Sequence, residues 1–260
     1  MDWREVAGNW LWIPPNPKAI IHFLGGAFVG AAPHLTYRWL LEQLGRQGYA
    51  IVATPFVNTF DHRAIAKEVL TTFDQGMYYL RSQVLVSDPY LPIYGLGHSM
   101  GCKIHLLMNS LWELERDGNI LMAFNNYPAR RSIPLLEQAA QFNPIFNVEF
   151  SPSPEATLDL IADTYHVRRN LLVKFRSDNI DQTRSLSHVL VPKFPELTTI
   201  RILKGNHNTP AAQDVDWQPG TSFSAIDAVG QFVRQEFLRD LKALKQELLL
   251  WLDPLCLTSG

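Results

Sequence analysis

The sequence predicts a mainly parallel β-sheet covered by helices on both faces. Two observations predict it. Short continuous apolar runs, the kind buried on both sides of a parallel sheet, alternate with longer stretches of helical periodicity. Near the middle, Gly97-His98-Ser99-Met100-Gly101 fits G-x-S-x-G, with an apolar run before it and a helical stretch after it. The chain has 260 residues, 47% of them hydrophobic and 18% charged, which suits a sizeable core and excludes a largely disordered chain. We read residues 1–260 as one domain.

The elements follow in order. Residues 10–13 form an early strand closed by Pro14-Pro15. Residues 19–24 are an unbroken apolar run ended by Gly25-Gly26, hence a buried strand. Residues 35–47 carry Leu35, Trp39, Leu40 and Leu44 at helical spacing, and residues 49–56 are a second buried strand. Residues 61–84 predict a long helix with Ile65, Val69, Leu70, Phe73 and Leu80 on its apolar side. Residues 91–96 and 119–124 predict strands on either side of a helix over 102–116. Residues 130–165 break the rhythm with Pro134, Pro144, Pro152 and Pro154; we expect a cap or lid insertion over the site, or else an irregular crossover. Strands are expected over 170–175 and 198–203. A final helix spans 223–252, with Phe232, Leu238, Leu241, Leu244 and Leu248 inward.

The glycines of the G-x-S-x-G element have a steric purpose. A strand that turns sharply into a helix leaves no room for Cβ atoms two residues either side of the serine, and its Oγ then stands clear of the sheet. A serine hydroxyl is a poor nucleophile until a base takes its proton and a third group holds the base. Such partners belong on loops after later strands, where ligands bind in open α/β sheets. Asp178 follows the strand 170–175, and His207 follows the strand 198–203 just past Gly205. The order Ser99, Asp178, His207 is that of a nucleophile, acid and base in this setting. Asp181 competes with Asp178, since either is also suited to capping the helix near Thr183. Of the other histidines, His98 lies too close to Ser99 to curl back on it. His22, His34, His62, His105, His166 and His188 lack the strand-to-loop setting. The oxyanion formed on attack needs two amides. We expect one from Met100 and the other from Gly26 or Ala27, in the glycine loop after the first buried strand.

Several classes are excluded. The net charge of −2 and the absence of a lysine/arginine tract argue against nucleic acid. Gly25-Gly26-x-x-x-Gly30 matches neither a P-loop nor G-x-G-x-x-G, and no HExxH occurs, so no cofactor or metal is expected. Two cysteines, Cys102 and Cys256, make no disulfide framework and suit a reducing, cytoplasmic compartment. No signal-peptide pattern opens the sequence, and no apolar run reaches the roughly 18 residues of a membrane span. Trp251 and Leu252 leave open a peripheral membrane or protein partner for the last helix.

The segments Phe23-Leu24-Gly25-Gly26-Ala27-Phe28-Val29-Gly30, Thr59-Phe60-Asp61-His62 and Gly95-Leu96-Gly97-His98-Ser99-Met100-Gly101-Cys102-Lys103 resemble the DUF1350 family of the α/β-hydrolase superfamily. The resemblance implies an α/β-hydrolase fold and a cyanobacterial cytosol or plastid setting, but no particular reaction. The residues lead to a serine hydrolase acting on a small-molecule acyl ester or thioester. Apolar residues of 130–165 would wall the acyl pocket, and Arg130 and Arg131 are either head-group contacts or solvated. The alternative is a non-catalytic binding or scaffold protein on the same fold.

Overall fold

The computed structural model describes residues 2–27, 29–85, 90–132, 149–212 and 225–254. Among them, eight strands form one sheet in the order β1-β2-β4-β3-β5-β6-β7-β8. The strands are β1 (Arg4–Val6), β2 (Asn9–Trp12), β3 (Ala19–Leu24), β4 (Tyr49–Ala53), β5 (Ile93–His98), β6 (Gly118–Met122), β7 (Asn170–Phe175) and β8 (Thr198–Leu203). β1 and β2 pair antiparallel, as do β2 and β4; all pairings from β4 through β8 are parallel. β3, β4 and β6 are buried along their whole length, including the polar His22 of β3 and Asn119 of β6.

The helices are α1 (Pro33–Thr36), α2 (Arg38–Arg46), α3 (His62–Tyr79), α4 (Met100–Leu111), α5 (Ala129–Ser132), α6 (Pro154–Thr164), α7 (Thr183–Lys193) and α8 (Ala225–Leu252). On one face Leu40, Leu41 and Leu44 of α2 and Leu241, Leu244, Leu248 and Leu252 of α8 bury against Ile21, Phe23, Ile51 and Val173. On the other, Ile65 and Val69 of α3 meet Ile104 and Met108 of α4, while Ile161 and Leu186, from α6 and α7, close over Leu121 and Leu172. Each fully buried leucine contributes about 2 kcal/mol of hydrophobic stabilisation.

Three expectations are revised. The helix expected over 35–47 is split at Tyr37, which has φ −112° and ψ 18° and is wholly buried. The helix expected over 61–84 starts at His62, where the Asp61 side chain accepts from Ala64 N at 2.9 Å, and its last turn, Leu80–Val84, widens to a π-turn. The strand before Ser99 is Ile93–His98 and not 91–96, so it runs straight into the serine. Of the segment 130–165, α6 packs on the sheet between α4 and α7 through Ile161 and Tyr165 as a crossover helix. The remainder, 133–148, lies outside the described residues, as does the Phe232 side chain. Trp251 turns inward: its ring lies under the Arg169 guanidinium at 4.0 Å and edge-on to Tyr94. Among the described residues no helix is long and apolar enough to cross a membrane.

Candidate active site

The sheet delivers its chemistry at the carboxyl ends of β3, β5, β7 and β8. β5 ends at His98, and the next residue, Ser99, has φ 54° and ψ −117°, a strained conformation for a residue with a Cβ. α4 begins directly after it. Glycine is required on both sides of this bend. A Cβ on Gly97 would lie 2.7 Å from the Cys102 amide, and one on Gly101 would collide with the carbonyl oxygens of Leu24 and Gly25. Gly101 thus lets α4 seat on the end of β3, which brings the serine beside the glycine loop.

β7 ends in a turn that carries Asp178, and β8 in a turn at Gly205 (φ +116°) that carries His207. His207 Nε2 lies 3.0 Å from Ser99 Oγ, and His207 Nδ1 lies 2.8 Å from Asp178 Oδ2. A carboxylate only accepts, so Nδ1 carries the proton and Nε2 presents its lone pair to the serine hydroxyl. Burial would raise the Asp178 carboxyl, but the hydrogen bonds from His207 and from Ile180 N (3.0 Å) outweigh it and hold it below its ordinary range. The structure therefore brings together Ser99, Asp178 and His207. Asp181 stands elsewhere: it pairs with Lys174 Nζ at 2.8 Å and accepts from the amide and hydroxyl of Thr183 at the start of α7. Cys102 is inert, because burial pushes its thiol up and its Sγ donates to the Met122 carbonyl at 3.2 Å.

For the oxyanion amides, Met100 N–H belongs to the first turn of α4 and so has no intrahelical acceptor. The expectation for Gly26 is corrected. Its N–H already donates to the Tyr37 hydroxyl at 2.9 Å, which leaves Ala27, also at the cavity wall, as the glycine-loop candidate.

That hydroxyl opens a chain which sequence reasoning missed. Tyr37 Oη lies 2.7 Å from His98 Nδ1, and His98 Nε2 lies 2.8 Å from the His207 carbonyl oxygen. The carbonyl only accepts, so Nε2 carries the proton and Nδ1 accepts from Tyr37. Burial pushes His98 down to about 3, with the His207 side chain adding to it, so the ring stays neutral. His98 in the strand and the wholly buried Tyr37 thus tie the glycine loop to the backbone of His207. No local pattern announces this pairing, because 61 residues separate the two side chains.

Ser99 is 8% exposed and opens into a cavity of about 340 Å³. Ala27, Met100 and His207 line it beside the serine, and Val29, Phe150 and Ile180 give it apolar wall. Arg131 and Phe150, both from the 130–165 segment, border it, and the Arg131 guanidinium lies 6.0 Å from the Tyr127 ring. The Arg130 side chain lies outside the described residues.

Solved structures of similar shape include esterases and a thioesterase domain. Esterase B from Lactobacillus rhamnosis superposes with a TM-score of 0.58 at 12% identity, over 93% of this chain and 82% of that one. Carboxyl esterase 2 from Tuber melanosporum gives 0.53 at 18% identity, over 90% and 82%. The thioesterase domain from the curacin biosynthetic pathway gives 0.51 at 13% identity, over 91% and 98%. These likenesses show the α/β-hydrolase fold. No curated protein matches the chain. At the level of family the match is direct: residues 2–254 fit the family described as protein of unknown function, DUF1350, and the chain belongs to it.

Proposed function

We propose that the protein is a serine hydrolase that cleaves a carboxylic ester or thioester through an acyl-enzyme. The observation that carries this reading is the hydrogen-bonded series Ser99–His207–Asp178, with the base in the tautomer that the reaction needs. Ser99 Oγ attacks the acyl carbonyl carbon while its proton passes to His207 Nε2. Asp178 holds the ring and stabilises its cationic form. The carbonyl oxygen, now an anion, receives the amides of Met100 and Ala27. The tetrahedral species collapses, the bond to the alcohol or thiol breaks, and His207 returns the proton to that leaving group. Water, deprotonated by His207, then attacks the acyl-serine; the bond to Ser99 Oγ breaks, His207 returns the proton to Oγ, and the acid leaves. The similarity to esterases and a thioesterase supports the ester and thioester classes.

A fluorophosphonate probe tests the reading. The folded protein should be labelled covalently and should hydrolyse short acyl esters. Ser99→Ala should lose the label and nearly all turnover, by about 10³-fold or more. A folded protein that neither takes the label nor cleaves any ester or thioester would count for a scaffold on this fold.

A further inference from the structure

The cavity that holds Ser99 also carries polar atoms that the proposed hydrolysis does not use. His62, the first residue of α3, is 3% exposed, and among the described residues neither ring nitrogen has a hydrogen-bond partner. Its ring stacks on Phe150 with centroids 4.2 Å apart. Lys103 stands one helical turn beyond Ser99 and is 1% exposed. Its Nζ donates to the Pro152 carbonyl at 3.2 Å and lies 5.8 Å from the same Phe150 ring. Asn126, after β6, donates its Nδ2 to the Pro154 carbonyl at 2.9 Å; this fixes the amide's orientation and leaves Oδ1 with no donor among the described residues. All three side chains line the cavity with Ser99 and His207.

Such a wall is costly unless something fills it. An ammonium has three protons to donate, and the Pro152 carbonyl takes one. Burial pulls Lys103 down to about 7 against the attraction of Glu149, so an anion brought to it restores the charge. Burial pushes His62 down to about 3, and the neutral ring offers one donor and one acceptor. Asn126 Oδ1 requires a donor. Two groups that seek an acceptor thus stand in one pocket with one that seeks a proton.

We propose that His62, Lys103 and Asn126 form the subsite for an anionic oxygen group of the substrate, a carboxylate or phosphate accompanied by a hydroxyl. The anion accepts from Lys103 and His62, and the hydroxyl donates to Asn126 Oδ1. This rests on the hydrolase reading of Ser99 and narrows it to esters or thioesters with an anionic, hydroxylated part. Val29, Phe150 and Ile180 take the apolar remainder. His62 and Lys103 fall within two of the segments that carry the family resemblance, and the acyl-transfer steps employ neither.

Two matched substrate pairs test it. One compares the butyryl ester of glycerol phosphate with that of glycerol, so that the anion is on the alcohol. The other compares p-nitrophenyl succinate with p-nitrophenyl butyrate, so that it is on the acyl half. The kcat/KM ratio should favour the anionic member of one pair by about tenfold or more, and that pair identifies the half. Lys103→Met and His62→Gln should each bring the ratio towards one. If Lys103→Met does not fold, His62→Gln carries the same readout. Separately, glycerol phosphate and succinate are titrated calorimetrically into Ser99→Ala protein, where one of them should bind, and adding His62→Gln to Ser99→Ala should abolish that binding. Turnover of neutral esters with no anionic preference in either pair overturns the subsite and leaves the hydrolase reading standing. Anion binding by Ser99→Ala protein, with no ester cleaved by the wild type, supports the subsite and overturns the hydrolase reading.

Discussion

Tyr37 donates its hydroxyl proton to Nδ1 of His98 across 2.7 Å, and the same oxygen accepts the amide of Gly26 at 2.9 Å. One phenol therefore fastens the loop after β3 to a ring whose other nitrogen holds the backbone of His207. Tyr37→Phe removes the oxygen and orphans two buried groups. The expected cost is about 2 kcal/mol or more in urea unfolding. Turnover should fall by about tenfold or more with a smaller change in KM, because the proposed base and the proposed oxyanion loop lose their common anchor. A variant with wild-type kcat would show that the chain is structural only.

Asp178 and Asp181 should separate cleanly. Asp178→Asn keeps the shape but no longer selects the His207 tautomer, so kcat should drop by about 10³- to 10⁴-fold with little loss of stability. Asp181→Asn leaves Lys174 without its partner and weakens the start of α7, so it should cost about 1–3 kcal/mol while turnover persists. Esterase rates and urea midpoints on both variants check this. The reverse pattern would reassign the acid.

The bend at Ser99 should show its strain. Ser99→Gly relaxes a positive φ and removes the hydroxyl, so stability should rise by about 1 kcal/mol as activity disappears. Gly101→Ala drives a methyl group into the Leu24 and Gly25 carbonyls and should destabilise by about 2 kcal/mol or more, or prevent folding. Thermal melts of the two proteins should move in opposite directions.

Acid should unfold the protein early. Burial pushes His62, His98 and His105 down to about 3 from an ordinary 6.5, and drives His22 well down too. Between those values the unfolded chain takes up protons that the folded one refuses. The stability these rings confer is complete above 6.5 and declines as the pH falls towards about 3. Asp178, held below 3.8, keeps its full contribution above 3.8 and loses it as the pH falls below that value. The urea midpoint should fall steeply from about pH 6.5 to about pH 4, with more than one proton taken up per molecule. A flat profile over that window would contradict the burial of these rings.

Legibility in the sequence tracked how local each feature's cause is. β3 begins and ends where its largely apolar run does, because a central strand of a parallel sheet is buried on both faces. β1 escaped notice: Arg4-Glu5-Val6 is a short, half-exposed edge strand with no apolar run to mark it. The break at Tyr37 was hidden because the bonds that draw this residue out of the helical run come from Gly26 and His98. Ser99, Asp178 and His207 each follow a strand in their own stretch of sequence, so they were nominated singly. His62 and Lys103 look like ordinary helix residues until the fold sets both beside Phe150.

Ser99 sits at the end of β5, while Asp178 and His207 follow β7 and β8, and β8 lies at the outer margin of the sheet. The hydroxyl and its proton acceptor thus meet only after the final strand has docked. During refolding, recovered turnover would report that β8 has docked. For the proposed hydrolase, activity is thus a probe of the sheet's outer margin.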